Sequence, residues 1–143
     1  MTRVDFYIMQ ESGSGNRHLL ACRLTEKAYQ LGHRIYIHAE SQSEALVLDN
    51  LLWTFKQGSF VPHALYPCPD PSLTPVLIGH DAEPDAAGGV LVNLAGEVPA
   101  FFSRFERVAE IVDHDATHRE NARARFRFYR DHGHEIQSHD ISG

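Results

Sequence analysis

The sequence predicts a three-layer α/β sandwich built on a mainly parallel sheet with nucleotide-binding-like topology. Three observations carry that expectation. Residues 4–9 (Val-Asp-Phe-Tyr-Ile-Met) and 35–38 (Ile-Tyr-Ile-His) are β-branched and aromatic runs that read as strands. Between them, Leu20, Leu24, Ala28 and Leu31 keep helical spacing. Strand, helix and strand within roughly 35 residues make a βαβ unit with a parallel pair and a right-handed crossover. Finally, residues 76–79 and 90–94 are short apolar runs of the kind buried on both faces of a parallel sheet.

In chain order, the first strand leads into a loop over 11–16 and then a helix over 17–31. Gly32 supplies the left-handed stop that helix ends favour. Ser41 and Glu44 are spaced as a capping box, opening a second helix through Leu52 with Ala45, Leu48 and Leu52 on its inner face. Five of the seven prolines fall between Pro62 and Pro75, so an irregular surface stretch is expected there. The acidic segment 81–89 reads as a mobile loop between two strands. Pro99 suits the first turn of a short helix through Phe105. Residues 108–113 read as a strand, Asp115 as the cap of a long helix ending at Gly133, and 134–143 as a polar, poorly determined tail.

At 143 residues a single domain, 1–143, with a real core is expected. No apolar run approaches the about eighteen residues of a membrane span, and the N-terminal run reads as a strand rather than a signal peptide. Cys22 and Cys68 make neither a disulfide framework nor a CxxC pair, so a cytoplasmic chain with reduced thiols is expected. The net charge of -6 argues against sequence-independent binding along bare nucleic acid, which needs a broad basic footprint.

Positive charge is nevertheless concentrated in one place. Arg119, Arg123, Arg127 and Arg130 recur at spacings of four, four and three, which gathers them along one stripe of a helix. Ala122, Phe126 and Tyr129 fall on the neighbouring face, with Phe126 at the seam. Such a seam suits an acidic group that also carries something hydrophobic. Arginine rather than lysine favours bidentate pairing with carboxylates over a merely solvated face. Only Arg125 leaves the stripe, and Phe128 projects from the far side of the wheel with no evident role.

A second concentration is aromatic. Trp53, Phe55 and Phe60 lie where a helix gives way to the proline-rich stretch, either as core or as an exposed patch that anchors a protein partner. Other motifs are weaker. Gly13, Ser14 and Gly15 follow the first strand, but His18 stands where a dinucleotide fingerprint needs its third glycine, and no GxxxxGK[ST] loop is present. The ten histidines, including His114, His118, His132 and His134, lack the spacing of a zinc site, so no metal is expected. Cys68 with His63 makes a poor nucleophile pair, because nothing basic near Cys68 stabilises a thiolate. No catalytic residue and no cofactor are expected.

Four segments carry a family resemblance: Cys22-Arg-Leu-Thr-Glu-Lys-Ala-Tyr29, Leu48-Asp-Asn-Leu-Leu-Trp-Thr-Phe55, Ser59-Phe-Val-Pro-His63 and Ala122-Arg-Ala-Arg-Phe-Arg-Phe-Tyr-Arg130. In order, over nearly the whole chain, they resemble the chi subunit of bacterial DNA polymerase III holoenzyme. The resemblance implies a non-catalytic clamp-loader accessory protein of the replisome with an α/β fold that binds no nucleotide. It implies one surface for the psi subunit at Trp53, Phe60 and Pro62, which a helicase or another replication protein can use instead. A separate surface, at Val112, Arg119, Arg123, Phe126 and Arg127, is implied for the acidic, Phe-terminated tail of single-stranded DNA-binding protein. Phe126 stands where a tyrosine is common in that family. Two other classes remain: a nucleotide-dependent enzyme using the Gly13–Gly15 loop, and a direct nucleic-acid binder using the arginine stripe.

Overall fold

The computed structural model describes residues 2–10, 16–69, 71–80, 83–84 and 88–141. Its strands are β1 (Arg3–Met9), β2 (Ile35–Ala39), β3 (His63–Leu65), β4 (Val76–His80), β5 (Val90–Asn93), β6 (Arg107–Val112) and β7 (Glu135–Ile141). All join one sheet in the order β3-β4-β2-β5-β6-β1-β7, and every pairing is parallel. Helices α1 (Arg17–Gln30), α2 (Gln42–Thr54) and α3 (Ala116–Asp131) complete the framework. The expected α/β sandwich is therefore present.

Alternation along the strands divides the core in two. Ile35, Ile37, Val76, Ile78, Val90, Val92, Ala109 and Ile111 meet Leu20 and Ala21 of α1 and Ala45, Leu48 and Leu52 of α2. On the opposite face, Val4, Phe6, Tyr36, Leu77, Leu91, Val108 and Val112 meet Ala122 and Tyr129 of α3, with Phe101, Phe102 and Phe105 beside them. The caps follow the expected chemistry. Ser41 Oγ accepts from the Glu44 N–H at 3.2 Å, although the Glu44 carboxylate reaches back to the Glu40 N–H rather than to Ser41. Asp115 caps α3 through the His118 N–H at 3.0 Å. Gly32 and Gly133 follow their helices at φ 89° and 77°.

Three details differ from the sequence reading. Residues 135–141 are not a poorly determined tail: they pair with the whole of β1, Arg3 opposite Glu135 through Met9 opposite Ile141. A strand at the edge of a sheet can stay polar, so it left no apolar period to read. The proline-rich stretch contains the short strand β3. The helix expected after Pro99 is a single 3-10 turn, Phe102–Arg104. The acidic segment 81–89 lies largely outside the described residues.

One buried acid holds the β1–β7 edge. The Asp5 side chain is fully buried, accepting from Arg107 Nε at 2.6 Å and pairing with His139 Nε2 at 3.0 Å. Burial alone would raise its pKa, but the bonds from His139 and Arg107, with Arg3 nearby, outweigh it and leave Asp5 below its ordinary 3.8. A carboxyl lowered in the folded state stabilises fully above its unfolded value, and the gain is lost as pH falls through the lowered one. Asp5→Asn is therefore expected to cost about 1.5–3 kcal/mol at neutral pH, the range of charge-assisted hydrogen bonds, since its cationic partners stay partly solvated. Its stability should also depend less steeply on pH below 3.8 than that of the native chain. Urea midpoints across acid pH check both; parallel acid limbs would refute the assignment.

Candidate functional site

The arginine helix and the strands beneath it flank an open cavity of about 210 Å³, lined by Phe6, Ile8, Val112, Arg119, Ala122, Arg123, Phe126 and Ser138. Sheet register explains the convergence. Ile8 lies opposite Val112 on β6, and Phe6 lies opposite Ser138 on β7. Their side chains therefore share the α3 face in adjacent rungs. Phe6 sits 5.5 Å from the Phe126 ring, giving the cavity an aromatic floor. An engineered apolar cavity of about 150 Å³ accepts benzene. The space beneath α3 thus admits one aromatic side chain.

The two arginines at the mouth differ in freedom. Arg119 is half-buried, donating from Nη2 to the Met9 carbonyl at 2.8 Å and from Nε to the Asp113 carbonyl at 3.2 Å. It is a fixed wall. Arg123 and Arg127 are exposed, and among the described residues no ion pair engages either. Arg130 pairs with its neighbour Asp131 at 3.2 Å. The site thus offers an apolar pocket, one anchored guanidinium and two uncommitted ones. Of the residues anticipated there, Val112, Arg119, Arg123 and Phe126 line the cavity; Arg127 lies one turn further along α3 and does not.

A second surface lies at the other edge of the sheet, where α2 packs on β3 and β4. Trp53 is 52% exposed and Phe60 70%, their rings 5.9 Å apart, with Pro62 half-buried beside them. The Trp53 ring also lies 4.4 Å from the His63 ring, whose nitrogens contact the carbonyl oxygens of Val61 and Asp49 at 2.6 and 3.0 Å. Ser59 donates to the Glu26 carboxylate, and Lys56 Nζ reaches Glu26 at 3.4 Å, fixing the loop that presents Phe60. Phe55, by contrast, is half-buried against the core. Strand order places the two surfaces on opposite faces and some five strands apart, roughly 25 Å at ordinary strand spacing.

A family model described as DNA polymerase III chi subunit, HolC, matches residues 1–137. The chain belongs to that family. Chi-family proteins are accessory subunits of the DNA polymerase III holoenzyme and serve DNA replication. The chain is 39% identical to DNA polymerase III subunit chi of Pseudomonas aeruginosa over 141 residues, covering 99% of this chain and 98% of that one. It is 26% identical to the Escherichia coli subunit over 135 residues, covering 91% and 92%. Among solved structures, the C-terminal domain of the DEAD-box protein Dbp5 superposes with TM-score 0.63 at 17% identity, covering 98% of this chain and 90% of that one. That likeness is one of fold.

Other features of this chi-family chain bear on the remaining readings. The Gly13–Gly15 loop lies outside the described residues. At the carboxyl ends of β2, β4 and β5, where open α/β sheets hold ligands, a crevice of about 970 Å³ is lined by Glu40, Glu83 and Glu97 among others. Glu40 there accepts from the Gly96 N–H at 2.8 Å, so that backbone donor is already paired with a carboxylate. Among the described residues no group of three or more His, Cys, Asp or Glu side chains could hold a metal ion, and no helix is long and apolar enough to cross a membrane.

Sequence reasoning missed the buried charges, Asp5 in β1 and an ion pair beneath α3. Arg125, the arginine off the stripe, is 6% exposed and donates from Nε to the fully buried Glu110 at 2.9 Å. The signal was present: Glu110 interrupts the apolar run of β6, and a charge in a buried strand needs a partner. Phe128 also finds a place, stacked 4.1 Å from His132 and edge-on to Phe102 at 5.8 Å.

Proposed function

We propose that this chain is a non-catalytic replisome adaptor that binds the acidic, Phe-terminated C-terminal tail of single-stranded DNA-binding protein at the α3 cavity. Through Trp53, Phe60 and Pro62 it binds the psi subunit, and so the clamp loader. The observation that carries the reading is the coincidence of an aromatic-sized apolar cavity with an uncommitted arginine, Arg123, at its mouth. The terminal ring enters between Phe6, Val112 and Phe126, its carboxylate pairs with Arg123, and preceding acidic residues run along Arg127. This is carboxylate capture coupled to an apolar anchor. Because a disordered tail is ordered on binding, one site is weak, on the order of micromolar, and several tails on one partner raise avidity. The acidic crevice and the net charge leave naked nucleic acid as the less suited ligand.

Calorimetric titration with an acidic peptide ending in Asp-Phe-Pro-Phe tests this, against the same peptide amidated. Salt-sensitive binding that needs the free carboxylate is expected; no heat at low salt would overturn the reading. The separation of the two surfaces yields a further expected outcome. Phe60→Ala removes a 70% exposed ring, so it should abolish co-elution with psi while leaving peptide affinity within about two-fold. Loss of both activities would mean damage to the fold rather than to one surface.

A further inference from the structure

We propose that the buried cluster of Glu110, Arg125 and Tyr129 is the pin that sets the rotation of α3 about its own axis. By doing so it holds Arg123 and Phe126 at the mouth of the cavity; the binding readout of this inference rests on the tail reading above.

Apolar packing under α3 rests on Ala122 and the fully buried Tyr129 ring, which lies edge-on to Phe6 and Phe102. The buried residues of α3 are Ala122, Arg125 and Tyr129, so one of the three is charged and another carries a hydroxyl. Its remaining large apolar residues point in conflicting directions. Phe126 and Phe128, two positions apart, project about 160° from one another on a helix, one on each side of the buried face. Phe126 meets Phe6 at the cavity, whereas Phe128 meets Phe102 beyond the opposite flank. Rolling α3 either way buries one ring at the expense of the other. Burial of the Tyr129 ring fixes which face α3 turns to the sheet, but it chooses weakly among small rolls that trade Phe126 at the cavity against Phe128.

The polar cluster chooses strongly. Arg125 Nε donates to Glu110 Oε1 at 2.9 Å, and the Tyr129 hydroxyl donates to Oε2 at 2.6 Å. Two side chains one turn apart on α3 thus converge on the two oxygens of a single carboxylate. Arg125 Nη1 also donates to the Gly96 carbonyl at 3.1 Å. Asn93 Nδ2 holds the carboxylate from the other side, at 3.1 and 3.0 Å, and itself reaches the Glu97 carbonyl. Glu110 stands on β6 two residues before Val112, so anchor and cavity wall share one strand. A buried ion pair adds little net stability over apolar residues of like size, but it is satisfied in only one geometry. Here that geometry is the one presenting the arginine stripe.

The test replaces the polar cluster by apolar groups of similar volume, Glu110→Leu with Arg125→Met and Tyr129→Phe, and reads rotation directly through 4-fluorophenylalanine incorporated at Phe126. The native chain is expected to give one narrow fluorine line. The triple variant is expected to unfold at an equal or higher urea concentration, yet to give several or broadened lines. It should also bind the peptide ending in Asp-Phe-Pro-Phe about ten-fold more weakly, as small misplacements of binding groups do. One narrow line, or several lines with native affinity, overturns the proposal. If the triple variant does not fold, Tyr129→Phe alone carries the test: a broadened line supports the pin and an unchanged line refutes it. A native chain that takes no peptide removes the tail reading, and the fluorine line then decides the pin by itself.

Discussion

Arg123→Ala is expected to weaken binding of the acidic tail peptide about ten-fold, the worth of one partly solvated charge-assisted hydrogen bond. Stability should stay within about 0.5 kcal/mol, as for a typical surface substitution. The asymmetry between the two arginines at the cavity mouth makes this the cleanest single change. Arg119 already spends its guanidinium on the Met9 and Asp113 carbonyls, so removing it also loosens the cavity wall. Arg123 is exposed and touches no described acid, so its removal deletes charge and part of the outer rim while the Phe6, Ile8, Val112 and Phe126 walls stay in place. Arg123→Lys should recover part of the affinity, since an ammonium keeps the charge and loses the bidentate fork. Calorimetry at two salt concentrations checks these outcomes, because the native preference over Arg123→Ala should shrink as salt rises. A folded Arg123→Ala chain with native affinity would remove α3 as the tail site.

Much of the frame was legible because its signals are local. The helical spacing of Leu20, Leu24 and Ala28, the Ser41 and Asp115 caps, and the apolar runs of β4 and β5 each lie within a few residues. What escaped notice depends on neighbours distant in sequence. β7 reads Glu-Ile-Gln-Ser-His-Asp-Ile and becomes a strand by pairing with β1, more than 120 residues earlier. The cavity shows the same division. Arginine spacing marked its rim, whereas Phe6, Ile8 and Ser138 join it through sheet register, which no local pattern encodes. At Trp53 and Phe60, sequence left core and surface equally open, since an aromatic ring suits either; the exposure of both rings decides for surface.

Arg125→Ala is expected to be among the most destabilising single changes in the chain, costing about 3–5 kcal/mol at neutral pH. The residue lies amid exposed arginines, and helix propensity alone would predict that alanine is harmless there. The cost comes from Glu110, fully buried and left without its counter-charge. Burial already raises Glu110 above its ordinary 4.5, while Arg125, Tyr129 and Asn93 pull it back. Deleting the guanidinium removes the first of those restraints, so the folded-state pKa climbs further. An acid whose folded value is raised binds a proton more readily folded than unfolded, so the penalty is small below 4.5 and grows as pH rises toward the folded value. The stability gap between Arg125→Ala and the native chain should therefore widen from pH 5 to pH 8. Adding Glu110→Gln should close much of the gap at the higher pH, because the neutral amide carries no charge to strand. Guanidinium chloride unfolding at both pH values decides the matter; a gap independent of pH would mean that Arg125 acts through packing of its stem, with the Glu110 charge satisfied by other donors.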